Sequence, residues 1–247
     1  MSLNFGEIVE PSTRAFWDDY DEEDENDNLL LDPLEWIWYN GGEEESSEEL
    51  EIQKTLQDPF RFVIIEGQKV SSFVQTAILN GKCNPMCQLS SGTVNLFHLP
   101  AEKLLLCVSE ELEPNLFGKI TNKLSRWLDA AEGLTTISLL PAVMYKGLSE
   151  PEQDKVCFIK ALNGNALLSI SGIGQLEAPN VITGVSAGAA SYRKFRSKET
   201  AIYGCYLDSV ILDSVSSAPI LRLLKALQIP CADRYELKYK TSSNLYM

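Results

Sequence analysis

Charge is distributed so unevenly along this chain that it decides where a folded core can form. Residues 15–53 hold sixteen Asp and Glu and no Lys or Arg. The 247-residue chain carries −14 overall, so that segment accounts for −16 and everything else for +2. A run such as Asp18-Asp19-Tyr20-Asp21-Glu22-Glu23-Asp24-Glu25 repels itself and offers little apolar area to bury. We therefore expect residues 1–57 to form an acidic, largely disordered arm. Residues 58–240 should form one α/β domain, and 241–247 a flexible tail. With 45% hydrophobic residues the chain can supply one good-sized core.

An island interrupts the acidity of the arm. Trp17, Trp36 and Trp38 are three of the four tryptophans of the chain, and residues 34–39 read LEWIWY between two acidic runs. Solvating segments are poor in aromatic residues. This one is expected to dock, either on its own domain or on a partner. Gly41-Gly42 and the Glu/Ser stretch after it read as a flexible return to the domain.

From Pro59 the pattern alternates between strand and helix. Residues 60–65 (FRFVII), 93–99, 104–109, 135–140 and 201–207 are short apolar runs of strand type, and 156–162 reads as a strand or a helix. Residues 70–79 carry apolar side chains at 70, 73, 74, 77 and 78, which is helical spacing. Leu116, Ile120, Leu124, Trp127 and Ala131 line one face of a helix over 115–132, with Pro114 before it and Gly133 after it. Pro179 and Asn180 open a helical pattern with Val181, Val185, Ala189 and Tyr192 inward and basic residues at its end, where cations complement the helix dipole. Residues 219–227 predict a last helix, stopped by Pro230. Such alternation predicts a three-layer α/β domain, a largely parallel central sheet flanked by helices.

Several function classes are set aside on composition. No apolar run reaches eighteen residues, so no membrane-spanning segment is expected. The opening MSLNFGEIVEPSTR has no apolar stretch behind a basic start and does not read as a secretory signal. The six cysteines then read as reduced thiols of a cytoplasmic or nuclear protein. A net charge of −14 argues against nucleic acid as the main partner.

The motifs offer little catalysis. Gly184-Val185-Ser186-Ala187-Gly188 matches the G-x-S-x-G elbow of α/β serine hydrolases, which is the alternative reading. That reading needs a histidine after Ser186 in chain order, whereas the single histidine, His98, lies upstream. Small residues packing a helix closely on a sheet account for the same letters. Cys83 and Cys87 form a C-x₃-C without two further ligands nearby in sequence, so no metal is expected. Gly172-Ile173-Gly174 lacks the third glycine of a dinucleotide fingerprint, and no cofactor is expected. The chain reads as a binding protein, not an enzyme. Its most pointed feature is the ending: a polar stretch over 238–244 finishes in Leu245-Tyr246-Met247. An aliphatic residue, a ring with a polar tip and a carboxylate suit insertion into a pocket. The other reading is packing on the domain itself.

Phe5-Gly6-Glu7 before an acidic arm, Pro179-Asn180-Val181 opening a late helix, Tyr203-Gly204-Cys205-Tyr206-Leu207-Asp208, and the ending Ser243-Asn244-Leu245-Tyr246-Met247 together resemble the proteasome assembly chaperone 1 family. The resemblance implies an α/β protein without catalytic activity. It implies pairing with proteasome assembly chaperone 2 and binding to proteasome α-type subunits while their ring assembles. It also implies that Leu245, Tyr246 and Met247 form a hydrophobic–tyrosine–any-residue tail that enters a pocket between α subunits, its carboxylate meeting a lysine there.

Overall fold

The computed structural model describes residues 34–39, 52, 55–81, 83–110, 113–147, 155–162, 173–209 and 211–236. The acidic runs and the tail residues Leu245, Tyr246 and Met247 lie outside them. The described residues form a nine-stranded sheet: β1 (Trp36–Trp38), β2 (Arg61–Glu66), β3 (Cys87–Leu89), β4 (Val94–Leu99), β5 (Leu104–Ser109), β6 (Gly133–Pro141), β7 (Cys157–Ala161), β8 (Gly174–Gln175) and β9 (Thr200–Leu207). Their order is β1-β3-β4-β5-β2-β6-β9-β7-β8. The four central strands β5, β2, β6 and β9 are mutually parallel. The β1-β3-β4 meander joins one side antiparallel, and β7 joins the other. The domain is the expected α/β sandwich, with a parallel centre and antiparallel flanks.

Helices cover both faces. Helix α1 (Val70–Ala77) and helix α5 (Ser217–Ala226) pack on one. Helices α2 (Phe117–Lys123), α3 (Ser125–Ala130) and α4 (Gly184–Phe195) pack on the other. The buried positions of α1 are Val70, Phe73, Val74 and Ala77, the i, i+3, i+4, i+7 stripe that its sequence shows. Strands in the middle of the sheet are apolar on both sides, because both are covered. In β2, Val63 and Ile65 face α1 and α5 while Phe62 and Ile64 face the other layer. The single helix expected over 115–132 is two helices with a turn at Leu124, but Ile120, Leu124, Trp127 and Ala131 are buried as its spacing requires. Residues 156–162 contain strand β7, which settles that choice.

The aromatic island docks on its own domain. It adds β1 to the sheet edge beside β3, with Trp36 opposite Leu89 and Trp38 opposite Cys87. Tyr39 N–H donates to Met86 C=O at 3.0 Å, and Ser90 N–H to Glu35 C=O at 2.8 Å. Trp36 meets the buried Trp127 edge to face, with ring centroids 5.7 Å apart, and Trp38 lies 6.4 Å from the same ring. The Trp127 indole N–H donates to Thr55 Oγ1 at 3.1 Å, which in turn donates to Ile52 C=O. One tryptophan thus anchors both β1 and the turn that leads into β2.

At the far end of α4, Arg193 is buried and turned onto α3. Its Nη1 donates to the carbonyls of Leu128 and Ala131 at 2.7 and 2.8 Å, and Nη2 reaches Glu132 and Glu199. These carbonyls include some left free at the end of α3. The basic cluster expected to serve its own helix end therefore turns to a neighbouring helix: Arg196 pairs with Asp129 of α3 at 2.9 Å and Lys198 donates to the Asp129 carbonyl. Arg193→Lys should lower stability by about 2 kcal/mol, because an ammonium cannot reproduce the forked geometry; urea unfolding measures it.

Burying an indole of roughly 150–250 Å² gives about 4–6 kcal/mol. Ordering six residues costs about 6–12 kcal/mol. Strand β1 thus holds by a small margin, with the second ring and the hydrogen bonds completing the balance. Trp36→Ala should release it: amide exchange at Tyr39 and Ser90 becomes fast while β2 and β6 stay protected. Unchanged protection at Tyr39 would refute that margin.

Candidate functional site

The central parallel strands β5, β2, β6 and β9 end on one side of the domain, the place where α/β folds build ligand crevices. Here β2 ends in Glu66. Its Oε1 accepts the Val185 N–H and its Oε2 the Ser186 N–H, both at 2.9 Å, at the first turn of α4. A helix N-terminus presents free N–H groups and a partial positive charge, which is why such ends receive anions. In this chain that position is filled by its own carboxylate. Burial raises the Glu66 pKa above its ordinary 4.5, and the two backbone hydrogen bonds pull it the other way. On the neighbouring strand, Glu110 follows β5 and accepts the Ser71 N–H of α1 at 3.2 Å. Two acidic residues thus cap helices on opposite faces of the sheet.

The G-x-S-x-G string is explained by packing. Gly184 has φ +89°, and a Cβ there would fall on the Glu66 carboxylate. A Cβ on Gly188 would fall on Thr121 Oγ1 of α2. Ser186 is fully buried in the first turn of α4, whereas a hydrolase elbow exposes its serine on a turn directly after a strand. His98 faces Leu105 near the start of β5, while Glu66 is level with Ser109 at its end. Four residues of strand separate the two levels, about 13 Å. Ser186 and His98 therefore belong to opposite ends of the sheet. The expected start of this helix at residues 179–180 is corrected to Gly184, and Val181, expected to face inward, is 71% exposed. The Glu66 contact fixes the first turn at Gly184 and leaves Val181 on the approach to it.

A cavity of about 240 Å³ opens beside this contact, lined by Glu66, Glu110, Phe117, Ser138, Leu140 and Met144 among others. Ser138 is level with Glu66 across the β2–β6 pairing. Around this end of the sheet lie large exposed side chains: Val143 and Met144 after β6, Val181 before α4, and Ile211 and Val215 after β9. Sequence reading missed the crevice, because Glu66, Glu110 and Ser138 are far apart in the chain and carry no motif.

Cys83 is partly exposed and Cys87 buried in β3, and none of the six cysteines forms a disulfide. Burial holds the Cys107 and Cys157 thiols far above their ordinary pKa, Cys157 at about 12, as inert core positions. Among the described residues no group of three His, Cys, Asp or Glu could hold a metal ion, and no helix is long and apolar enough to cross a membrane. Gly172 of the Gly-Ile-Gly string lies outside the described residues.

The raised Glu66 pKa has a consequence for stability. The folded chain binds this proton more tightly than the unfolded one, so protonation favours the fold. That contribution is complete below the ordinary carboxylate pKa and is lost as pH rises through the raised one. Stability of the native chain relative to Glu66→Gln should therefore fall as pH climbs from about 4 towards 7. Urea midpoints of both proteins across that range measure it, and a constant difference would contradict the assignment.

No protein-family model matches the chain, and no curated protein does. Solved structures share its fold. A protein of unknown function from Thermoplasma acidophilum has a TM-score of 0.54 at 13% identity, covering 82% of this chain and 88% of that one. PbaA of Pyrococcus furiosus, an archaeal homolog of proteasome-assembly chaperone, has a TM-score of 0.52 at 11% identity, covering 81% and 88%. PbaB of the same organism, an archaeal proteasome activator, has a TM-score of 0.50 at 12% identity, covering 81% and 91%. The chain is similar in fold, over about four fifths of its length, to proteins of this chaperone and activator type.

Proposed function

We propose that this chain is a non-catalytic proteasome assembly chaperone of the cytoplasm or nucleus. The observation that carries the reading is the fold likeness to PbaA, an archaeal homolog of proteasome-assembly chaperone, over 81% of this chain and 88% of that one. The geometry is in keeping with a binding protein: the helix N-terminus best placed to take an anionic ligand holds Glu66, and Ser186 is packed away.

In this reading the domain pairs with proteasome assembly chaperone 2 and covers the face of the assembling ring of proteasome α-type subunits. Leu245, Tyr246 and Met247 enter a pocket between neighbouring α subunits, the tyrosine ring supplying apolar area and the carboxylate meeting a lysine. Once the domain is bound, the tail is a tethered second contact, and its effective concentration at the pocket is in the millimolar range. Domain and tail together then bind more tightly than either does alone, and they occupy sites that other ring-binding proteins would use.

The test is capture of proteasome α-type subunits by the full chain and by a chain lacking Leu245-Tyr246-Met247. The expected result is capture by the full chain, reduced about tenfold or more by the deletion. Equal capture would remove the tail from the mechanism, and failure to capture α subunits would overturn the chaperone reading.

A further inference from the structure

The crevice at the carboxyl ends of the parallel strands contains an unfilled acceptor set. Glu66 and Glu110 each spend hydrogen-bonding capacity on a helix N-terminus, but a carboxylate has about four lone-pair sites. On the other side of Glu66 from Glu110, the β6 strand places Ser138, which is 2% exposed and whose Oγ has no hydrogen-bond partner among the described residues. A buried hydroxyl without a partner costs stability, so the arrangement favours a ligand that hydrogen-bonds to it. Phe117, Leu139, Leu140 and Met144 line the same cavity of about 240 Å³. Acceptors and carboxylates beside an apolar wall suit a long aliphatic stem ending in a cation.

The surroundings of the mouth identify the source of that cation. Val143 is 90% exposed, Met144 62% and Val181 71%. A small free amine would leave these side chains in water. A protein surface that inserts one basic side chain would cover them, giving a desolvated charged contact ringed by apolar ones, the usual arrangement of an interface hot spot. We propose that this end of the domain docks a partner protein by receiving one of its arginine or lysine side chains into the Glu66–Ser138–Glu110 crevice. The partner is taken to be the second chaperone chain, a step that rests on the function proposed above.

Two arms test this. In the first, the full chain is titrated with n-butylguanidinium, with n-butylurea as the neutral isostere and guanidinium as the cation without a stem, and the methyl NMR signals of Met144, Leu139 and Leu140 are followed. Saturable shifts are expected for n-butylguanidinium, with binding about tenfold weaker for each control. Met144→Arg, at an exposed position that leaves the core intact, should abolish the shifts by placing a cation in the mouth. Equal response to all three compounds, no response, or an unchanged response in Met144→Arg overturns the crevice. In the second arm the chain is co-expressed with proteasome assembly chaperone 2. Met144→Arg should lower co-purification about tenfold, and deletion of Leu245-Tyr246-Met247 should not. If the native chain binds n-butylguanidinium but does not co-purify, the crevice stands and the pairing falls. If it co-purifies and Met144→Arg has no effect, the crevice is not where the partner docks.

Discussion

Helix α4 is held at both ends by buried polar contacts, and the layer it belongs to depends on them. At its first turn Glu66 accepts two backbone N–H groups. At its last turn Arg193 donates to carbonyls at the end of α3 and to that of Glu199. The first contact joins α4 to the end of the central strand β2, and the second joins it to the helices that cross from β5 to β6. Removing either partner would strand a buried polar group, which costs more than the hydrogen bond contributes on balance. The small residues between them, Ala187, Gly188, Ala189 and Ala190, let α4 lie close on α2 and the sheet; Gly188 leaves room for Thr121. The position of α4 in turn sets one wall of the crevice, through Thr183 and Gly184.

This arrangement changes what the end of the sheet can bind. In α/β folds that bind phosphates, the helix N-terminus at the carboxyl end of a strand is left open for the anion. Here Glu66 and Glu110 fill two such positions, on opposite faces of the sheet. The dipoles are matched internally, and the crevice that both residues line is acidic and apolar. It disfavours phosphates and carboxylates and favours a cation with an aliphatic stem. The same chain therefore offers two contacts of opposite chemistry under the proposed function: an acidic crevice on the domain and a carboxylate-ended tail, Leu245-Tyr246-Met247. Neither contact competes for the other's site.

Most of the fold was legible because the interior is apolar and periodic. The stripe of α1, the FRFVII run of β2 and the face through Ile120, Leu124 and Trp127 are patterns of local spacing, and local spacing survives into the structure. What was not legible depends on contacts between distant residues. The start of α4 was placed at Pro179–Asn180 because those letters favour a helix opening, but the first turn is set by Glu66, more than a hundred residues away. The three-residue β3 and two-residue β8 are too short to show a period, and they exist as strands because neighbours pair with them. The crevice was invisible for the same reason: Glu66 and Glu110 read as ordinary strand-end polar residues until the parallel register sets them side by side.

Strand β1 shows how the aromatic island serves the fold. A sheet edge presents unpaired N–H and C=O groups and invites pairing with another chain. The β4-β3 meander would leave such an edge at β3, and β1 covers it. Among the described residues, that moves the open edge to β1, a strand of only three residues. So short an edge offers few backbone groups to pair with and is a poor template for a second copy. The tryptophans give β1 its hold on the domain, Trp36 and Trp38 both meeting Trp127. The aromatic letters that set residues 34–39 apart from the acidic runs on either side thus have a use in covering the sheet edge at β3.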